Sequence, residues 1–118
     1  MLTFPVALTI LVSIEPVDMR RGIDGLTVLI AEQLQSNPQD NILFLFSNRS
    51  RNKIKGPYWD KNGFVLIYKR LEQKKFYIPK DYKVNRLEIT HEQLKWLLAG
   101  FDFINLANYP ELTFTHYS

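Results

Sequence analysis

Hydrophobic positions along the chain change their period several times, and each change marks an element. The apolar opening from Leu2 to Ile14 carries Pro5 and has no basic residue ahead of it. At about 13 residues it falls short of the roughly 20 needed to span a membrane, and it lacks the flank of a secretory signal, so Val6 to Ile14 reads as a buried strand. Pro16 then disfavours helix at Glu15, and Asp18 stands where a helix cap is needed. From Met19 to Gln35 the apolar residues Met19, Ile23, Leu26, Ile30 and Leu34 recur three or four apart, which draws one stripe down a helix. Gly22 and Gly25 interrupt it, each at about 1 kcal/mol relative to alanine. Either the first turn is irregular as far as Asp24, with Asp24 the true cap, or the glycines admit a neighbouring backbone or a ligand.

After the turn Ser36 to Asn41, the five apolar residues Ile42 to Phe46 suggest a strand covered on both faces. Ser47 to Lys53 is a polar reversal, and Ile54 to Asp60 should pair back. Gly56-Pro57 implies a bulge or an edge position there, because proline offers no ladder donor. Asp60-Lys61-Asn62-Gly63 is a hairpin signal leading into a strand from Phe64 to Glu72, and Phe76 to Pro79 closes the meander. Residues 80–88 are loop-like, with Leu87 and Ile89 in a short strand. Thr90-His91-Glu92-Gln93 matches a capping box, Leu94, Leu97 and Leu98 continue at helical spacing, and Gly100 can terminate the helix. Leu112 to Thr115 alternates like an edge strand in a tail that a neighbour could order. The expected fold is α+β: an antiparallel meander of about four to five strands, one long helix packed on a face, and a short C-terminal helix.

Composition narrows the class. At 118 residues the chain is expected to be a single domain, and 46% hydrophobic with 23% charged residues excludes a largely disordered protein. Without cysteine there is neither a disulfide frame nor a thiolate metal site, which makes a reducing cytoplasm the expected compartment and a membrane an unexpected one.

Charge changes the picture more. Between Asn48 and Lys75 nine cations face two acids, a net +7 in a chain of net +3, leaving −4 elsewhere. Tyr58, Trp59, Phe64, Tyr68, Phe76 and Tyr77 are interleaved with them. Positive charge among aromatic planes suits a polyanion with stackable bases, although a solvated basic hairpin has the same composition. Reactive constellations are missing by contrast. His91 and His116 lack companions at ligand spacing, and no nucleophile elbow, phosphate loop or dinucleotide fingerprint occurs. Asp18, Asp24, Asp60 and Glu72 are the carboxylates a metal-dependent nuclease could use. Asp18 is explained as a cap, Asp60 as a turn residue and Glu72 as a partner for Lys69 or Arg70, so no catalytic residue, metal or cofactor is expected.

The segments Pro16-Val17-Asp18-Met19-Arg20-Arg21-Gly22-Ile23-Asp24-Gly25-Leu26, Leu43 to Arg49, Ile54-Lys55, Tyr58-Trp59-Asp60, Gly63-Phe64 and Tyr68-Lys69-Arg70-Leu71-Glu72 together resemble the TnpB accessory protein. That family is the second-reading-frame product of insertion sequence sixty-six type transposable elements. The resemblance covers about residues 12–101, leaving 102–118 as an extension. Ser50, Asn52, Gly56-Pro57 and Gln73-Lys74-Lys75 depart from the family pattern. It implies a non-enzymatic protein encoded beside a transposase and needed for transposition.

Two roles follow as expectations. In the first, Arg49, Arg51, Lys53, Lys55, Lys69, Arg70, Lys74 and Lys75, joined by Arg20 and Arg21 if the first helix brings them to the sheet edge, neutralise phosphates of DNA at the element's ends. In the alternative, Tyr58, Trp59, Phe64 and Tyr68 dock onto the transposase and assemble it, since interface hot spots draw on the same residue types.

Overall fold

A computed structural model describes residues 7–80 and 84–105 of the chain. Its elements are β1 (Thr9–Ser13), α1 (Ile23–Glu32), β2 (Ile42–Ser47), β3 (Lys53–Asp60), β4 (Gly63–Arg70), β5 (Arg86–Ile89) and α2 (His91–Leu98). The apolar run in β2 does what its composition demands: all its residues after Ile42 are buried, so both faces are covered. β2 lies at the centre of a five-stranded sheet ordered β4-β3-β2-β1-β5.

The sheet is mixed, which corrects the expected antiparallel meander. β1 and β2 run parallel, with Thr9 beside Ile42 and Val12 beside Leu45. The β2–β3, β3–β4 and β1–β5 pairs are antiparallel. Parallel neighbours need a crossover, and α1 with its flanking loops supplies it. The last strand is Arg86–Ile89 beside β1, where Leu87 and Ile89 were expected. Phe76 to Pro79 joins no ladder; it lies extended, Phe76 and Ile78 buried and Tyr77 between them exposed.

The long helix expected over Met19–Gln35 is corrected too, to the ten residues of α1. Lys55 Nζ takes the carbonyl oxygens of Met19 and Arg21 at 2.6 and 3.0 Å, which holds residues 19–21 in a separate turn. The N-cap is Gly22, with no side-chain cap, so neither Asp18 nor Asp24 caps the helix. No neighbouring backbone approaches Gly25, whose missing Cβ faces the side chain of Arg21 at 3.3 Å. At the far end Gln35 adopts a φ of 51° and the amide of Ser36 reaches Ile30 O, which closes the helix.

α2 starts with the expected capping box between Thr90 and Gln93. It ends with Gly100 at φ 84° and the amides of Gly100 and Phe101 on Leu97 O and Trp96 O, a Schellman closure. Pro57 sits in β3, an interior strand, and not on an edge. The β2–β3 ladder ends at Phe46–Lys55, so the proline removes no bond on that side, while β3 and β4 stay paired as far as Asp60–Gly63. A Cβ on Gly56 would stand 2.7 Å from Phe44 O, so only glycine permits this approach of the two strands.

Two apolar layers flank the sheet. On one face Leu26, Leu29, Ile30 and Leu34 pack on Phe44 and Phe46. On the other, Ile10, Val12, Leu43, Leu45, Ile54 and Ile67 lie under Leu94, Trp96 and Leu97 of α2, with Phe76, Ile78 and Phe103 completing the layer. The expected positions of Val6, Leu112 to Thr115 and His116 fall outside the described residues.

Candidate nucleic-acid interface

Cross-strand register decides which cations share a surface, because directly opposed residues of an antiparallel pair point to the same face. Lys53 stands opposite Arg70, Lys55 opposite Tyr68, Pro57 opposite Leu66 and Trp59 opposite Phe64. Lys55 bonds to the segment leading into α1, so this row lies on the α1 side of the sheet. Lys69, one residue out of phase, lies on the α2 side with Ile54 and Ile67.

The α1 side thus brings together Arg20, Arg21, Lys53, Lys55 and Arg70. The turn before the helix, and not the helix itself, carries Arg20 and Arg21 to the sheet. Opposed like charges disfavour each other, so nothing in the stability of the hairpin asks for Lys53 across from Arg70. Arg70 also pairs with Glu72 at 2.9 Å, and Arg20 pairs with Asp18 at 2.6 Å. Hydrogen bonds and charge from Arg20 hold the Asp18 carboxyl down at about 2, well below its ordinary 3.8. Lys55 Nζ lies 5.6 Å from the Tyr68 ring centroid, within cation–π reach.

Of the other predicted cations, Arg51 and Lys69 serve the fold, while Arg49, Lys74 and Lys75 are exposed elsewhere. Arg51 adopts a φ of 59°, and its guanidinium turns inward to Ser47 Oγ and, at 3.0 Å, to Ile14 O, tying the ends of β1 and β2. Burial lowers its pKa, and Glu15 opposes that shift. Lys69 Nζ donates to Leu98 O at 2.6 Å, placing a positive charge on the carbonyl end of α2, where the helix dipole favours it. Arg49 is exposed in the β2–β3 turn, which Asn48 organises by accepting from the amides of Asn52 and Lys53. Lys74 and Lys75 lie on the α2 side, Lys74 Nζ 5.3 Å from the Phe101 ring centroid.

The aromatics divide as well. Trp59 and Phe64 meet edge to face at 5.0 Å on the α1 side, where Tyr68 is half exposed. Tyr58 packs against the α2-side layer instead. The four therefore do not form one surface. Sequence reasoning passed over Arg86, which donates to Leu34 O at 2.8 Å and so holds the carbonyl end of α1. It also passed over Tyr77 and Lys80 as site residues. The alternation of Phe76, Tyr77 and Ile78 was the available signal, since an extended segment burying its outer two must expose the middle one.

Among the described residues no three of His, Cys, Asp and Glu gather as a metal site would require, and no helix is long and apolar enough to cross a membrane. Comparison with known sequences matches residues 8–108 to the family described as IS66 Orf2 like protein. The uncharacterized protein y4jC of Sinorhizobium fredii (strain NBRC 101917 / NGR234) is 34% identical over 103 residues, 87% of each chain. The uncharacterized protein y4hO of the same strain is 36% identical over 86 residues, 73% of this chain and 74% of that one. No solved structure matches.

Proposed function

The chain belongs to the IS66 Orf2 like family, and from that premise we propose that it is a non-enzymatic, cytoplasmic accessory protein for transposition of an insertion sequence. It grips the sugar-phosphate backbone of the element's ends through the α1 side of its hairpin. The observation that carries this reading is the opposed pair Lys53 and Arg70, with Arg20 and Arg21 fastened beside it by Lys55. Like charges held face to face are relieved by a bound polyanion. Phosphate contacts of this kind position DNA without reading its sequence.

The test is a gel shift on element-end duplex across a salt series. Four phosphate contacts, from Arg20, Arg21, Lys53 and Arg70, give a slope of about −3.6 in log affinity against log salt, and the Lys53→Glu/Arg70→Glu protein loses about two units of that slope. A slope near zero, or a double variant that binds like the parent, rejects the reading. A second reading has its own support in the Trp59–Phe64 pair at the far end of the hairpin, an aromatic contact suited to docking on the transposase. Capture of the transposase that ignores salt and is lost in Trp59→Ala favours this second reading.

A further inference from the structure

The side of the sheet away from the Lys53–Arg70 row carries an open groove of about 610 Å³ between the extended segment after β4 and the turn after α2. Arg51, Lys74, Lys75 and Lys80 line it against one acid, Asp102. Asp102 is engaged by its own turn, accepting from the amides of Ile104 and Asn105 and from Asn105 Nδ2. Among the described residues no ion pair involves Lys74, Lys75 or Lys80. Tyr77, 56% exposed, sits in the wall because its neighbours Phe76 and Ile78 are anchored in the core at 3% and 6%. Tyr77 and Lys80 also border the adjoining hollow of about 410 Å³ beside Ile104, so the concave surface continues past them.

We propose that this groove binds an unpaired DNA strand, with Lys74, Lys75 and Lys80 on its phosphates and Tyr77 stacking on a base. The inference rests on the nucleic-acid reading of the protein and adds a second site to it with a different substrate form. An exposed ring on an anchored segment offers a π-face, and bases present theirs only when unpaired. A duplex keeps its bases stacked inside and offers Tyr77 no free face to stack on. A free phosphate or an acidic peptide would satisfy the lysines and leave the tyrosine unused.

The full chain is titrated with fluorescent oligothymidylate and, separately, with a hairpin DNA closed by a non-nucleotide linker so that every base is paired, by anisotropy at several salt concentrations. Tyr77→Ala weakens oligothymidylate binding about tenfold and leaves hairpin binding unchanged, while Tyr77→Phe restores it. Lys74→Glu/Lys75→Glu flattens the salt slope on oligothymidylate by about 1.4. The residues are exposed, and circular dichroism verifies the fold of each variant. Oligothymidylate affinity untouched by Tyr77→Ala, or lost equally on both probes, overturns the inference. If the hairpin DNA binds and oligothymidylate does not, the groove proposal falls and the duplex reading stands. If oligothymidylate binds in a Tyr77-dependent way and the hairpin DNA does not, the groove stands and the duplex reading falls.

Discussion

On the α1 side of the β3–β4 hairpin two cations come with an acid two residues away, Arg20 with Asp18 and Arg70 with Glu72. Around the groove on the α2 side, Lys74, Lys75 and Lys80 have no ion pair among the described residues. The apolar layers beneath differ as well: among the described residues fifteen buried side chains form the α2-side layer and six the α1-side layer. The groove over the deeper core is thus ringed by lysines without an ion pair, while on the other side acids hold two of the cations and Arg21 and Lys53 have no ion pair among the described residues. The difference teaches that charge counts along a sequence overstate what a surface offers, because some cations are already engaged. Arg51, Lys55, Lys69 and Arg86 all donate to backbone carbonyls of other elements and so act as clasps.

The strongest way to break the comparison is through the cores. Leu97 is fully buried on the α2 side and Phe44 nearly so on the α1 side. Leu97→Ala is expected to cost about 3 kcal/mol and Phe44→Ala about 4 kcal/mol in urea unfolding, the ordinary range for deleting buried side chains. A cost below about 1 kcal/mol at Leu97 means that α2 is not part of the cooperative core.

Next comes the division between clasp and free cation. Arg51→Ala removes a charged donor from Ser47 Oγ and Ile14 O and is expected to cost about 2 kcal/mol. Lys75→Ala, exposed, should stay within about 0.5 kcal/mol. Lys69→Ala falls between them at about 0.7 kcal/mol, the worth of a cation at a helix C-terminus. Equal unfolding midpoints for Arg51→Ala and Lys75→Ala remove the distinction.

How much of this was legible depended on whether a signal is local. The capping box at Thr90 and the Asp60–Gly63 hairpin are short-range patterns, and both occur, although the turn's positive φ of 56° falls on Lys61 and not on the Asn62-Gly63 pair that signalled it. The direction of β1 against β2 is not local, yet a signal existed, since strand, helix and strand in succession suit a parallel crossover. Reading the chain as a meander overlooked it. The shortened α1 depends on Lys55, more than thirty residues away, withdrawing the carbonyls of Met19 and Arg21, which no helical period reveals. At the candidate site, the surplus of cations was plain in the sequence, but their division between two faces follows from the one-residue offset of Lys69 from Arg70 once the register is fixed. Arg51's inward turn follows from its positive φ, which its residue type does not announce.

The smallest effect tests the acid partners themselves. Asp18 titrates at about 2 against an ordinary 3.8, chiefly because its carboxylate accepts from the Arg20 guanidinium and then from the Arg20 amide. A folded-state pKa below the unfolded one favours the ionised form in the native protein. The stabilisation is therefore complete above about pH 3.8 and fades as pH falls toward 2. Because the pair is exposed the gain is slight, and Asp18→Asn should leave the neutral-pH urea midpoint nearly unchanged while reducing the difference between its pH 4 and pH 2 midpoints. The same change frees the charge of Arg20 at neutral pH. If the α1 side grips phosphates as proposed, removing this carboxylate lets Arg20 bear fully on its phosphate, so Asp18→Asn tightens duplex binding at fixed salt and leaves oligothymidylate binding unmoved. Unchanged duplex affinity means that Arg20 is not among the phosphate contacts, and the proposed row then contracts to Lys53, Arg70 and Arg21.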